Sequence, residues 1–170
     1  MIALRWYAAV AERMLTAIVG SGHDQDDRRR PTPSQPPEHT AHVDTVAPFA
    51  DAAAALAWGD RELENIVSLV ERHAEPSGPP GLPDQSGPSR TSDHRAVHAF
   101  VLLRLLHAYL LRRGRVAETE VLGRAALRAA RRLGDEVAEA YALGDLAGRR
   151  FLTGRLGDAL DLTDRDRPAG

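Results

Sequence analysis

The chain of 170 residues contains no cysteine, which excludes disulfides, thiol catalysis and zinc sites built from thiolates. It also contains no lysine, because all 22 of its basic residues are arginine. A nucleotide-binding P-loop needs a lysine to reach the phosphates, and Schiff-base enzymes need a lysine amine. Both of these classes of site are therefore excluded.

Long apolar runs are missing as well. The longest one, Phe100 to Leu111, is interrupted by Arg104 and is too short to cross a membrane. The first twenty residues superficially resemble a signal peptide, but charged residues such as Arg5 and Glu12 fall inside the apolar stretch. We therefore predict an amphipathic helix at residues 1–19, no contact with a membrane, and a cytoplasmic location.

Two stretches of the chain show no apolar periodicity and are rich in proline, glycine, serine and charge. They are residues 20–48 and residues 76–93. Segments of this composition bury too little apolar surface to offset the entropy that is lost on ordering. We therefore predict two disordered linkers at these positions, and a short tail at residues 164–170.

Apolar residues recur at helical spacing in the remaining segments, so the predicted fold class is all-α. Residues 49–75 are expected to form a helical adaptor that begins after the N-cap Asp51 and breaks or bends at Gly59. Residues 94–163 are expected to form further helices, one of them over residues 116–133. Helix ends are predicted at three glycines, Gly114, Gly134 and Gly154.

The C-terminal region contains an echo of forty residues. The stretch LLHAYLLRRGRVAE (Leu105 to Glu118) is similar to LAGRRFLTGRLGDAL (Leu146 to Leu160). Gly114 and Gly154 stand at matching places, forty positions apart. A period of this size is typical of helix–turn–helix solenoids. We predict a short tetratricopeptide-like solenoid at residues 94–163 with an unfinished second repeat. The alternative is two unrelated helical hairpins.

The segment ALAWGDRELENIVSLV carries Trp58, Glu62 and Asn65 at a distinctive spacing. It resembles a stretch of actinobacterial transcriptional regulators of the Streptomyces antibiotic regulatory protein type, and of related NB-ARC ATPases with tetratricopeptide repeats. Residues 112–160 are similar to the repeat that follows in that family. The resemblance implies packing and helix-junction roles for the three side chains. It covers neither the DNA-binding nor the ATPase domain, so we interpret the chain as a slice of a larger regulator.

One helical face of the C-terminal region carries an arginine stripe. It consists of Arg124, Arg128, Arg131 and Arg132. Such a stripe can contact an acidic peptide or the phosphates of a nucleic acid. Acidic residues flank it and no aromatic residue is interleaved for base stacking. We therefore expect a solvated face, or a contact surface for a protein partner or the further domains of the regulator, and keep nucleic acid as the alternative.

No catalytic, cofactor or metal site is predicted from the sequence. His94 and His98 stand at i and i+4, but a metal site would need a third ligand from elsewhere in the chain. His107 is expected to be a satisfied histidine in or beside the core. No motif marks a nucleophile turn. The predicted function is a non-enzymatic protein-interaction or sensor segment.

A second alternative is a non-functional remnant of a truncated gene. Its unfinished last repeat would expose apolar side chains, and exposed apolar surface favours self-association. The side chains concerned are Leu156, Leu160 and Leu162.

Overall fold

The computed structural model describes residues 2–74, 90–152 and Gly154. Regular structure in this part of the chain is helical, which confirms the predicted all-α class. The helices are α1 (Ile2–Ile18), α2 (His23–Arg29), α3 (His39–Asp44), α4 (Ala52–Ala74), α5 (Arg90–Arg112), α6 (Val116–Leu133) and α7 (Glu136–Leu152). Within the described ranges, none of them is long and apolar enough to cross a membrane.

The five long helices pack in an order that follows the chain. Among α1, α4, α5, α6 and α7, consecutive helices contact each other, and so do helices two places apart in this order. Helices α1, α5 and α7 therefore form one layer, and α4 and α6 form the other. Helices α1, α4, α5 and α6 share one apolar core.

Helix α5 lies at the centre of the core and is buried on nearly every side, as its composition predicts. It packs against Met14 of α1, Ile66 of α4 and Leu122 of α6. Each fully buried leucine there contributes about 1.5–3 kcal/mol to the free energy of folding. The buried apolar side chains of α5 are Val97, Ala99, Phe100, Val101, Leu102, Leu103, Leu105, Leu106, Tyr109 and Leu110.

Several helix ends lie where the sequence predicts them. Gly134 has a φ of 65° and ends α6, while Gly114 and Gly154 have φ of 62° and 77°. These left-handed conformations favour glycine, and Gly114 and Gly154 stand at matching places in the forty-residue echo. Asp51 and Asp135 each accept a hydrogen bond from the backbone N–H three residues later, at 2.7 and 2.9 Å. Both act as N-caps.

The predicted break of the adaptor helix at Gly59 is wrong, because α4 runs unbroken through this residue. The glycine has a packing role instead. A Cβ atom at this position would lie 2.5 Å from Cε2 of Tyr109 and 2.9 Å from Cε of Met14. At Gly123 of α6, a Cβ atom would lie 2.6 Å from Cδ2 of Leu146. Both glycines permit a close approach of neighbouring helices.

Residues 20–48, expected to be a disordered linker, contain α2 and α3 and lie against the long helices. Gln25, His39 and Val43 are buried in this segment. The prediction considered only apolar burial, whereas the segment is held mostly by ion pairs and hydrogen bonds, which are described below.

Other predictions fall partly or wholly outside the described residues. Residues 76–89 of the second predicted linker lie outside the described part of the chain, and its last four residues, 90–93, belong to α5. Thr153 and residues 155–163 of the predicted repeats, and the tail at 164–170, also lie outside. The same holds for the three leucines proposed to drive self-association, Leu156, Leu160 and Leu162.

Candidate functional site

Residues 20–48 lie across the layer of helices α1, α5 and α7. Helices α2 and α3 contact α1, and α2 also contacts α5. We call the surface beneath them the covered face, and define it by the four buried charged side chains that the segment contacts there. These are Glu12 of α1, Arg104 of α5, Asp145 of α7, and Asp135 just before α7.

Glu12 is a buried carboxylate that contacts an arginine and a histidine of the segment. Its Oε1 accepts a hydrogen bond from Nε of Arg29 at 2.9 Å, and its Oε2 accepts one from Nε2 of His39 at 2.8 Å. Burial alone would raise the pKa of Glu12, but the hydrogen bonds from His39 and Arg29 lower it below its ordinary value. The carboxylate of Glu12 is therefore charged. It holds Arg29 and His39, the residues on either side of the stretch between α2 and α3.

Asp145 forms the second ionic contact and is only 4% exposed. Nη1 of Arg28 lies 2.8 Å from its Oδ1 and 2.9 Å from its Oδ2. Nδ1 of His107 lies 3.1 Å from the same Oδ1, but it makes no aligned hydrogen bond with the described residues. His107 thus lies beside a buried carboxylate at the edge of the core, and its Nδ1 lacks the hydrogen bond expected of a satisfied histidine within the described part of the chain.

Arg104 is a cation in the middle of the core helix and is only 2% exposed. Its Nη2 donates to Oε1 of Gln35 at 2.5 Å, and its guanidinium carbon lies 5.6 Å from the ring centre of Tyr141. Arg28 lies 5.8 Å from the same ring, whose hydroxyl donates to Oδ1 of Asp27 at 2.9 Å. Nε and Nη1 of Arg104 have no partner within the described part of the chain. Burial accordingly lowers the pKa of Arg104.

Asp135 connects the segment to the start of α7. One carboxylate oxygen caps the helix, and the other accepts the backbone N–H of Ser34 at 2.9 Å. Burial would raise the pKa of Asp135, but the backbone hydrogen bonds from Ala138 and Ser34 lower it below its ordinary value of 3.8. A carboxyl group whose pKa is lower in the folded state stabilises the fold above its unfolded pKa, and this contribution is lost as the pH falls.

Replacing Asp135 by asparagine is therefore expected to lower the free energy of unfolding by about 1 kcal/mol at pH 7, since a hydrogen bond to a charged acceptor is stronger than one to a neutral acceptor. The loss should shrink as the pH falls from 3.8 towards the lower pKa of the folded state, because protonation of the wild-type carboxyl group removes its advantage over asparagine. Urea unfolding between pH 7 and pH 3 measures it. Asp51→Asn, at the exposed N-cap of α4, is the control. A loss for Asp135→Asn that is constant across this range would contradict the assignment.

An open cleft of about 760 Å³ continues the covered face along α7. Arg28 and Tyr141 border it on the side of the segment. Val137 lines it and is 42% exposed, and a Cβ atom on Gly144 or Gly148 would meet nothing within 4 Å. The surface next to the segment is thus accessible, and small residues leave it open along α7.

The arginine stripe lies on the exposed side of α6, with Arg124, Arg128, Arg131 and Arg132 all exposed. Nε of Arg124 lies 2.6 Å from Oε1 of Glu120, one turn earlier in the same helix. Nε of Arg131 lies 2.7 Å from Oε1 of Glu139 in α7. Carboxylates therefore already neutralise part of the stripe, which shares no residue with the covered face.

The histidine pair considered from the sequence does not form a described site. The side chain of His94 lies outside the described residues, and His98 is buried at 6% exposure. Among the side chains that the structure describes, no group of three or more histidine, aspartate or glutamate residues is placed to hold a metal ion.

The residues of the covered face were not predicted as a site. Glu12 and Arg104 were read only as charges that interrupt apolar helices, although a charge on a core-facing position is itself a signal that a partner must be nearby. Asp145 is not marked by any local pattern. Its partner Arg28 is 117 positions away in the sequence, and only the fold brings the two together.

Comparison of the chain with protein-family models, curated proteins and solved structures gives no match. The family resemblance stays a prediction, and the function has to be argued from the geometry of the chain.

Proposed function

We propose that the chain is a non-enzymatic protein-interaction segment built from tetratricopeptide-like helical pairs, and that it serves a larger transcriptional regulator in the cytoplasm. The observation that carries the proposal is the packing order, in which consecutive long helices contact each other and so do helices two places apart. Stacked helical pairs of this type present extended surfaces, and proteins use such surfaces to bind other proteins.

Two further features support this interpretation. The pairs would be α1 with α4 and α5 with α6, with α7 opening a third pair. Left-handed glycines follow α5 and α7 at the forty-residue period, and the close-contact glycines Gly59 and Gly123 lie in α4 and α6, the second helix of each pair. A cytoplasmic location fits a chain without cysteine.

A peptide-display selection against the immobilised full-length chain tests the proposal. We expect the selection to enrich related peptides, which then bind the chain in isothermal titration calorimetry. Binding should be unchanged by glutamine substitution of the arginine stripe, Arg124, Arg128, Arg131 and Arg132. A selection that enriches no binder, with a chain that melts cooperatively, would remove the proposal.

The nucleic-acid alternative is tested in the same preparation. Fluorescence anisotropy of a labelled DNA duplex at low ionic strength is expected to stay flat as the chain is added, because Arg124 and Arg131 already bind carboxylates. Binding that weakens steeply with salt, and that the glutamine-substituted stripe abolishes, would favour nucleic acid as the partner instead.

A further inference from the structure

The covered face differs from an ordinary core surface because the helical layers leave charged groups on it. Glu12, Asp135 and Asp145 are 7%, 2% and 4% exposed. Burying a carboxylate without a cation or a hydrogen-bond donor is unfavourable by several kcal/mol. The face therefore requires an occupant that supplies those partners, and residues 20–48 supply them.

We propose that the covered face is a binding surface for an arginine-bearing, proline-rich segment of a partner protein, and that residues 20–48 are an intramolecular ligand which this partner displaces. The inference rests on the proposed function and specifies its partner. The occupant that the structure contains shows which chemistry the face accepts.

Adjacent arginines are the first requirement. Arg28 binds Asp145 and Arg29 binds Glu12, so two consecutive side chains contact carboxylates on two different helices, α7 and α1. Arginine suits such sites because its guanidinium group offers several donors in a fixed plane. The guanidinium of Arg28 also lies over the ring of Tyr141, which adds a cation–π contact.

A non-helical stretch with prolines is the second requirement. Residues 30–38 lie between α2 and α3, and they contain four prolines, Pro31, Pro33, Pro36 and Pro37. This stretch offers the backbone N–H of Ser34 to Asp135 and the carboxamide oxygen of Gln35 to Arg104. Because prolines restrict the free chain, such a segment loses less conformational entropy on binding than a flexible one.

The open cleft gives a partner something that the intramolecular segment does not use. It begins beside Arg28 and continues past Val137 and Gly144. A partner segment with an apolar side chain next to its arginines can cover Val137, and this contact favours the partner over residues 20–48.

The probe for the test is a fluorescently labelled synthetic peptide with the sequence of residues 23–44, HDQDDRRRPTPSQPPEHTAHVD. It is titrated against the full-length chain and against a full-length variant with Arg28→Ala and Arg29→Ala. That variant weakens the intramolecular ligand and leaves the face intact. We expect it to bind the probe at least about tenfold more tightly than the wild-type chain does, which corresponds to 1.4 kcal/mol.

Two controls make the result specific. The same peptide with alanine in place of Arg28 and Arg29 should bind at least about tenfold more weakly. Adding Asp145→Asn and Glu12→Gln to the variant should remove its gain in affinity. Equal binding of both peptides overturns the inference, and so does a folded variant that binds the probe no more tightly than the wild type. A dimer formed by exchange of residues 20–48, detected by sedimentation, overturns it as well.

A second measurement does not depend on the variant's folding. Hydrogen exchange of the wild-type chain is followed with and without excess unlabelled peptide. Displacement predicts faster exchange of the amides in residues 23–44 of the chain, with exchange in α5 unchanged. Unaltered exchange at saturating peptide overturns the inference. If display-selected peptides bind while the 23–44 peptide does not, the inference fails and the proposed function stands.

Discussion

Replacing Gly59 by valine is expected to destabilise the chain by about 3 kcal/mol. The Cβ atom of any larger residue would lie 2.5 Å from Cε2 and 2.8 Å from Cζ of Tyr109, and 2.9 Å from Cε of Met14. The ring cannot move aside freely, because Tyr109 is 1% exposed and its hydroxyl donates to Oδ1 of Asp60. Relief requires that α4 move away from both α1 and α5.

The matched control is the same substitution at Gly144, which is also a helical glycine. A Cβ atom there meets nothing within 4 Å, and valine has a slightly better helix propensity than glycine. Urea unfolding of both variants should therefore show a large loss of stability for Gly59→Val and little change for Gly144→Val. Similar losses of stability at both sites would mean that the close approach of Tyr109 and Met14 is not the reason why position 59 requires glycine.

Replacing Glu12 by alanine is expected to lower the free energy of unfolding by about 3 kcal/mol. The substitution leaves the buried imidazole of His39 and the guanidinium of Arg29 without their carboxylate. Helix propensity opposes this loss only slightly, because alanine and glutamate are both good helix formers. We expect the loss in thermal or urea unfolding, together with faster hydrogen exchange in residues 20–48.

Two further variants distinguish the loss of the Glu12 contacts from the effect of replacing any glutamate in a helix. Glu64→Ala removes an exposed glutamate from α4 and should change stability by less than about 0.5 kcal/mol. Glu12→Gln keeps the size of the side chain and one acceptor, so its loss should be intermediate. If Glu12→Ala proves as mild as Glu64→Ala, the buried contacts do not hold the segment.

The helices could be predicted from the sequence because their signals are local. Apolar spacing defines α5, and the glycine and aspartate at positions 134 and 135 define the boundary between α6 and α7. Gly59 misled the prediction because a glycine needed for packing and a glycine that ends a helix look alike in a sequence. The two cases differ only in what lies opposite, here Tyr109 of another helix.

The covered face could not be predicted for a related reason. Residues 20–48 have the composition of a disordered segment, and composition counts how much apolar surface a segment offers. It does not register that buried charges elsewhere need partners. Arg29 and His39 meet Glu12 across 17 and 27 positions, while Ser34 meets Asp135 across 101. No periodicity in the chain encodes these pairs.

Residues 20–48 are joined to the helical array at both ends, to α1 at Ile18 and to α4 at Ala52. A ligand tethered in this way stays at a local concentration that its connections fix, on the order of millimolar for short ones. Dilution or higher expression of the protein leaves that concentration unchanged. In the displacement proposed above, the fraction of molecules with an open face then depends on this fixed intramolecular competition and on the partner's concentration and affinity, and not on how much of the chain is present. The connection thus gives every copy of the chain the same threshold.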